Sequence, residues 1–157
     1  FLSSMSLQQL RNKTDKNIGR SSSSPPTYIT TTAKVVSVHD GDTCDLVFVK
    51  NGRFERFKSR LIGINTPELG TGIKALKARD FLVWLSLGKS AASFSQTSQP
   101  FSKSQIQSSL DANQELVHAE FQGSGGYGRP LVTLKKNQGG KSFNNLLIEY
   151  GYANVFR

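Results

Sequence analysis

Cysteine is nearly absent: Cys44 stands alone, so the chain has no internal disulfide framework. Cys44 follows Thr43 in an apolar, strand-like run and reads as a small core residue, not a nucleophile. Histidine is almost as scarce. His39 and His118 have no Cys or His partner at zinc-ligand spacing, which sets a zinc centre aside. No apolar run approaches the length of a membrane span. A complete P-loop is missing too: Gly139-Gly140-Lys141-Ser142 resembles its tail, but Lys135 occupies the position of the first glycine. Acidic residues are outnumbered, 11 against 20 Lys and Arg, giving a formal net charge of +9. A surface of that sign favours polyanions: nucleic acid, acidic lipid or an RNA-rich assembly.

A length of 157 residues fits one domain, and the 36% hydrophobic share implies a modest core with segments outside it. Residues 1–27 carry Arg11, Lys13, Lys16 and Arg20 against Asp15 alone, then Ser21–Ser24 and Pro25-Pro26. The expectation is a disordered or extended basic segment outside the core. Its Arg- and Ser-rich, acid-poor make-up also matches an organellar transit peptide, with a secreted chain as the other possibility. The domain proper is expected over 28–157. Residues 28–38 are rich in β-branched side chains. A strand over 43–49, the Asn51-Gly52 hairpin turn and a strand over 54–64 follow. Apolar residues from Ile73 to Leu87 recur at helical period, and Gly88 is a stop. At about 90–110 serines and glutamines dominate, which reads as an inserted loop or linker. A strand over 130–135 and a helix over 143–150 complete the pattern. Consecutive strands with few helices fit a β-rich α+β class and a small barrel better than a doubly wound sheet.

Chemistry concentrates in three stretches: Asp40-Gly41-Asp42-Thr43, Arg60 to Glu68, and Tyr127-Gly128-Arg129. Asp42 starts one hairpin arm; Asn65, Thr66 and Glu68 end the other. Two carboxylates, an amide oxygen and the Thr66 carbonyl then reach one hard cation of the calcium type. Asp40 is placed to orient the first ligand or to hold a metal-bound water. Arg60 lies inside an apolar strand, where a charge needs a partner or a role. Two readings stand: an ion pair with Asp40 or Asp42, and a fork that grips phosphate. Simple alternation puts Arg60 and Asn65 on opposite faces, so a bulge or sharp twist is required between them. Arg129 follows glycines that let backbone approach a ligand, and Tyr127 is placed to touch substrate.

These stretches, in this order, resemble the staphylococcal nuclease (thermonuclease-like) family, as does Phe143-Asn144-Asn145-Leu146-Leu147 with Gly151-Tyr152-Ala153. The resemblance runs from about Ala33 to Phe156, interrupted at the serine-rich stretch. It implies an OB-like five-stranded β-barrel with two to three helices. It also implies calcium-dependent hydrolysis of DNA or RNA phosphodiesters, leaving 3′-phosphates. By residue, it implies Asp42, Asn65 and Thr66 as calcium ligands, Glu68 as base or water-orienting group, and Arg60 and Arg129 as phosphate-stabilising charges. Asn65 departs from the pattern, which has an aspartate there; an amide keeps the oxygen and loses the charge. The alternative expectation is a catalytically weakened module that binds nucleic acid or protein in a larger protein or ribonucleoprotein assembly, through its tail and insertion.

Overall fold

The computed structural model describes residues 4–156, with side chains from Ser6 onward. Five strands close a barrel: β1 (Tyr28–Asp40), β2 (Thr43–Lys50), β3 (Arg53–Leu61), β5 (Val117–Ser124) and β6 (Pro130–Lys135). Their order is β1-β2-β3-β6-β5, with β5 returning to β1. Only the β3–β6 pair is parallel, so the barrel is mixed. A two-residue β4 (Ile64–Asn65) pairs with β7 (Asn154–Val155) beside it. This is the β-rich α+β, OB-like barrel that the sequence pattern and the resemblance led to expect. Helices α2 (Ile73–Ser86), α3 (Lys103–Ala112) and α4 (Phe143–Glu149) pack around it, with a short α1 (Ser4–Arg11) at the amino-terminal side. Among the described residues no helix is long and apolar enough to cross a membrane.

The hairpin register positions the site. Lys50 pairs with Arg53 at the turn and Thr43 with Arg60 at the open end. Asp42 and Arg60 therefore emerge side by side, and Leu61 N–H donates to Asp42 O at 2.8 Å. The expected strand over 54–64 ends early. It stops at Leu61, turns through Gly63 at φ 81°, a conformation glycine adopts without strain, and resumes as β4. This break, not a bulge, brings Asn65 to the same side as Arg60.

Two segments expected outside the core belong to it. The first is the amino-terminal segment. Strand β2 is buried on both faces, because Cys44, Leu46 and Phe48 fill the barrel while Asp45 and Val47 face residues 4–27. Leu10 of α1 packs with Val36 and Val47 in a second apolar cluster. Lys34 Nζ donates to the Arg11 carbonyl at the end of α1, where a cation suits the helix dipole. Beyond it, Ser21 and Arg56 exchange backbone-linked hydrogen bonds at 2.9 Å. The described part of the supposed disordered or extended segment is thus a helix and a strap bound to the barrel; residues 1–3 of that expectation lie outside the described residues, as does Arg157.

The second is the serine-rich stretch. Its serines conceal Phe94, Phe101, Ile106 and Leu110 at intervals that reach the core. Phe94 stacks edge-on against Phe81 at 5.2 Å between centroids. Helix α3 opens with a capping box, in which Gln105 N–H donates to Ser102 Oγ and Ser102 N–H to Gln105 Oε1. Asp80 Oδ2 accepts from Phe101 N–H at 2.8 Å and Arg79 donates to Phe101 O at 2.7 Å, so α2 holds the insertion by backbone as well as by rings.

Candidate phosphate and cation site

One pocket, of about 340 Å³, is lined by Asp40, Asp42, Thr43, Arg60, Asn65, Thr66, Glu68 and Arg129. They come from the β1–β2 turn, the end of β3, the β4 loop and the start of β6. Seven of the eight residues singled out in the sequence line this pocket. Tyr127 does not. It sits at φ 62° in a tight turn with its ring fully in solvent.

Asp42 is the centre of the arrangement. Its Oδ1 accepts from Arg60 at 2.9 Å and from Thr43 Oγ1 at 3.1 Å, and its Oδ2 accepts from Thr66 N–H at 2.9 Å. Burial pushes its carboxyl up, but the Asp40 hydrogen bond, the Thr66 amide and the Arg60 charge outweigh burial and hold it below the usual range. Asp40 moves the other way. Burial first, then the hydrogen bond and charge of Asp42, raise it to about 6. Near pH 5 a protonated Asp40 thus donates to an ionised Asp42, while the Asp42 amide donates to Asp40 Oδ1 at 3.1 Å. Thr43, which sequence reasoning left out of the ligand set, holds one lone pair of Asp42.

Of the two readings made for Arg60, the ion pair with Asp42 is the one present. Its guanidinium also donates to the Ile64 carbonyl at 3.0 Å and to Asn65 Oδ1. The Phe156 ring lies 5.7 Å from its guanidinium carbon. A tethered cation therefore bridges the two side chains that would ligate calcium. Arg129 is different. Its Nε makes one long bond to Gly126 O, 3.4 Å, and among the described residues no carboxylate pairs with it. Its charge is free to meet an anion.

Two residues shape the site without lining it by charge. A Cβ on Gly41 would stand 2.8 Å from both Ala78 Cβ and Thr66 Cγ2. Gly41→Ala is expected to force the Asp40–Asp42 turn off α2 and to cost about 1–3 kcal/mol in denaturant unfolding; an unchanged midpoint would mean the turn has slack. Asn144 was not anticipated. Its amide donates to Ile62 O at 2.9 Å and Val132 O at 3.1 Å and accepts from Leu134 N–H, pinning the chain just past Arg60 to β6. Nothing short of the β3–β6 junction signals that role, because an Asn early in a helix is usually exposed.

The donors in this pocket are oxygens, the chemistry of a hard cation. Thr66 Oγ1 is also buried without a hydrogen-bond partner, an orphan that a ligand would satisfy. The residues fit calcium in type. In charge they are poorer than a carboxylate-rich site, since Asn65 is neutral and Arg60 sits on Asp42. Among the described residues no three His, Cys, Asp or Glu side chains gather as a metal group. Comparison of the chain with models of known protein families finds no match, and comparison with curated proteins finds none either.

Proposed function

We propose that the chain is a nuclease of the staphylococcal type, hydrolysing phosphodiesters of DNA or RNA with calcium. The observation that supports this reading is the convergence of Asp42, Glu68, Arg60 and Arg129 on one pocket from four segments of a closed barrel. Asp42, Asn65 and Thr66 would hold the ion, whose contribution when bound is positive charge against the phosphoryl oxygens. Arg129 would engage a non-bridging phosphate oxygen with a guanidinium that no carboxylate neutralises. Arg60 would join it as negative charge builds on the phosphoryl oxygens, releasing Asp42 and Asn65 as it turns to the phosphate. Glu68, exposed at the pocket rim, would accept the proton of the attacking water. Cleavage of denatured DNA or RNA, followed as calcium is titrated, tests the proposal. Rates that saturate with calcium and vanish in chelator are expected; equal cleavage in chelator would refute it.

The bridging contacts of Arg60 favour one second reading, a binding module whose arginine substitutes for the ion. Arg60→Met separates the two. For a nuclease, Met frees two oxygens, so calorimetry should show tighter calcium binding while cleavage falls at least about 100-fold. For a binding module, the unmodified protein would bind no calcium and show no calcium-dependent cleavage for the variant to lose.

A further inference from the structure

Next to the proposed site, on the other side of Asp40 and Glu68, lies a second pocket of about 240 Å³. The two share a wall made of consecutive residues: His39 and Leu69 line this pocket where Asp40 and Glu68 line the first. Its apolar surface is aliphatic, from Val38, Leu69 and Ile106. Its polar surface is cationic and amide, from Arg79, Lys103 and Gln107, with His39 at the edge. The opposite wall is therefore built by α3, the helix inside the serine-rich stretch.

We infer that this pocket is a subsite for the nucleotide neighbouring the scissile phosphate in a single-stranded polynucleotide, an inference that rests on the nuclease reading above. Size argues for one base and little more. At about 30 Å³ per water, 240 Å³ holds about eight waters, below the usual range of pockets for larger ligands. An aliphatic slot accepts the face of any base without hydrogen-bond readout. Leu69 is 42% exposed, an apolar surface otherwise wasted on water. Lys103 is exposed at the first position of α3, with no carboxylate partner among the described residues, and suits a backbone phosphate. Arg79 is spent on Asp80 and on the Phe101 carbonyl, so it stiffens the floor and leaves recognition to Lys103. Gln107 is held by Nε2 bonds to Val36 O at 3.2 Å and Asp111 Oδ1 at 2.9 Å, which fixes its side chain as part of the wall. Single-stranded substrate follows from the geometry, because a paired base cannot enter a slot beside its own phosphate.

Fluorescence anisotropy with a labelled single-stranded hexanucleotide, in chelator so that nothing is cut, tests the subsite. Lys103→Glu and Leu69→Ser, both at exposed positions, should each weaken binding about tenfold. Arg53→Glu carries the same charge change to the far end of the hairpin and should weaken it less than about threefold. A dinucleotide, too short to fill both pockets, should lose little with Leu69→Ser. Equal losses for Lys103→Glu and Arg53→Glu, with Leu69→Ser unchanged, would overturn the subsite while leaving the nuclease reading intact. Hexanucleotide binding that Lys103→Glu, Leu69→Ser and Arg129→Ala all leave unchanged would overturn both.

Discussion

Glu68→Gln is expected to slow calcium-dependent cleavage of single-stranded nucleic acid by about 100- to 10,000-fold, the span associated with losing a positioned acid–base group. Gln keeps the size and polarity of Glu and removes its capacity to take a proton. The stability cost should be small, within about 0.5 kcal/mol, because exposed side chains away from caps and networks contribute little. The Glu68 backbone carbonyl, which accepts from Thr71 N–H at 3.2 Å, is retained in the variant, so the loop should keep its turn. Parallel measurements of initial rate and unfolding midpoint check both halves. Unchanged cleavage with an unchanged midpoint would remove Glu68 from the chemistry and leave Arg60 and Arg129 as the parts of a phosphate-binding site.

Asp45→Ala should be the most damaging single change to the fold, at about 3–5 kcal/mol, the range for removing one partner of a buried ion pair. Asp45 is fully buried on the outer face of β2. It accepts from Arg56 Nε at 2.8 Å, from Arg20 Nε at 2.9 Å, and lies 2.9 Å from His39 Nε2. Arg56 in turn holds the strap through the Asp15 carboxylate and the Asp15 and Ile18 carbonyls. Without Asp45 the guanidinium of Arg56 keeps only the strap, and Arg20 loses its anchor. Denaturant unfolding should show the loss. Limited proteolysis should show early cutting within residues 12–27; a protected strap would refute the coupling.

The same network sets an acid limit. Burial raises the Asp45 carboxyl, but hydrogen bonds from His39, Arg20 and Arg56 and the charge of Arg56 outweigh it, so the folded-state value is depressed. A depressed acid binds its proton more weakly folded than unfolded. Its stabilisation is therefore complete above the unfolded value, about 3.9, and declines as pH falls below that toward the folded value. Stability measured from pH 6 down to pH 2 should fall more steeply in the unmodified protein than in Asp45→Asn.

What sequence alone determined was set by short-range chemistry. The Asn51-Gly52 turn and the alternation on either side of it decide the β2–β3 register, and the register puts Asp42 beside Arg60 whatever the rest of the chain does. Ile73 to Ser86 form a helix, capped at Leu87, because their apolar recurrence and Gly88 favour no other regular structure. Much of the candidate site was legible for this reason, since seven of its eight residues lie in two motifs joined by one hairpin. Other features depended on partners distant in sequence. Asp45 stands in an apolar strand as Arg60 does, and the same question about a buried charge would have drawn attention to it. Its answer lies 25 residues upstream at Arg20, in a segment whose composition suggests disorder. Likewise Phe94 stands alone among serines, and Ile106 with Leu110 make a single i, i+4 pair that the serine content masks, yet each reaches the core. Composition measures the average polarity of a segment. Packing responds to the few side chains that face inward, and to whether a neighbour far along the chain covers them. The tertiary structure alone decided that the strap and the serine-rich stretch belong to the domain. It also placed Tyr127 in solvent and Arg60 across Asp42 and Asn65, because only the closed barrel brings the end of β3 and the β4 loop to one rim.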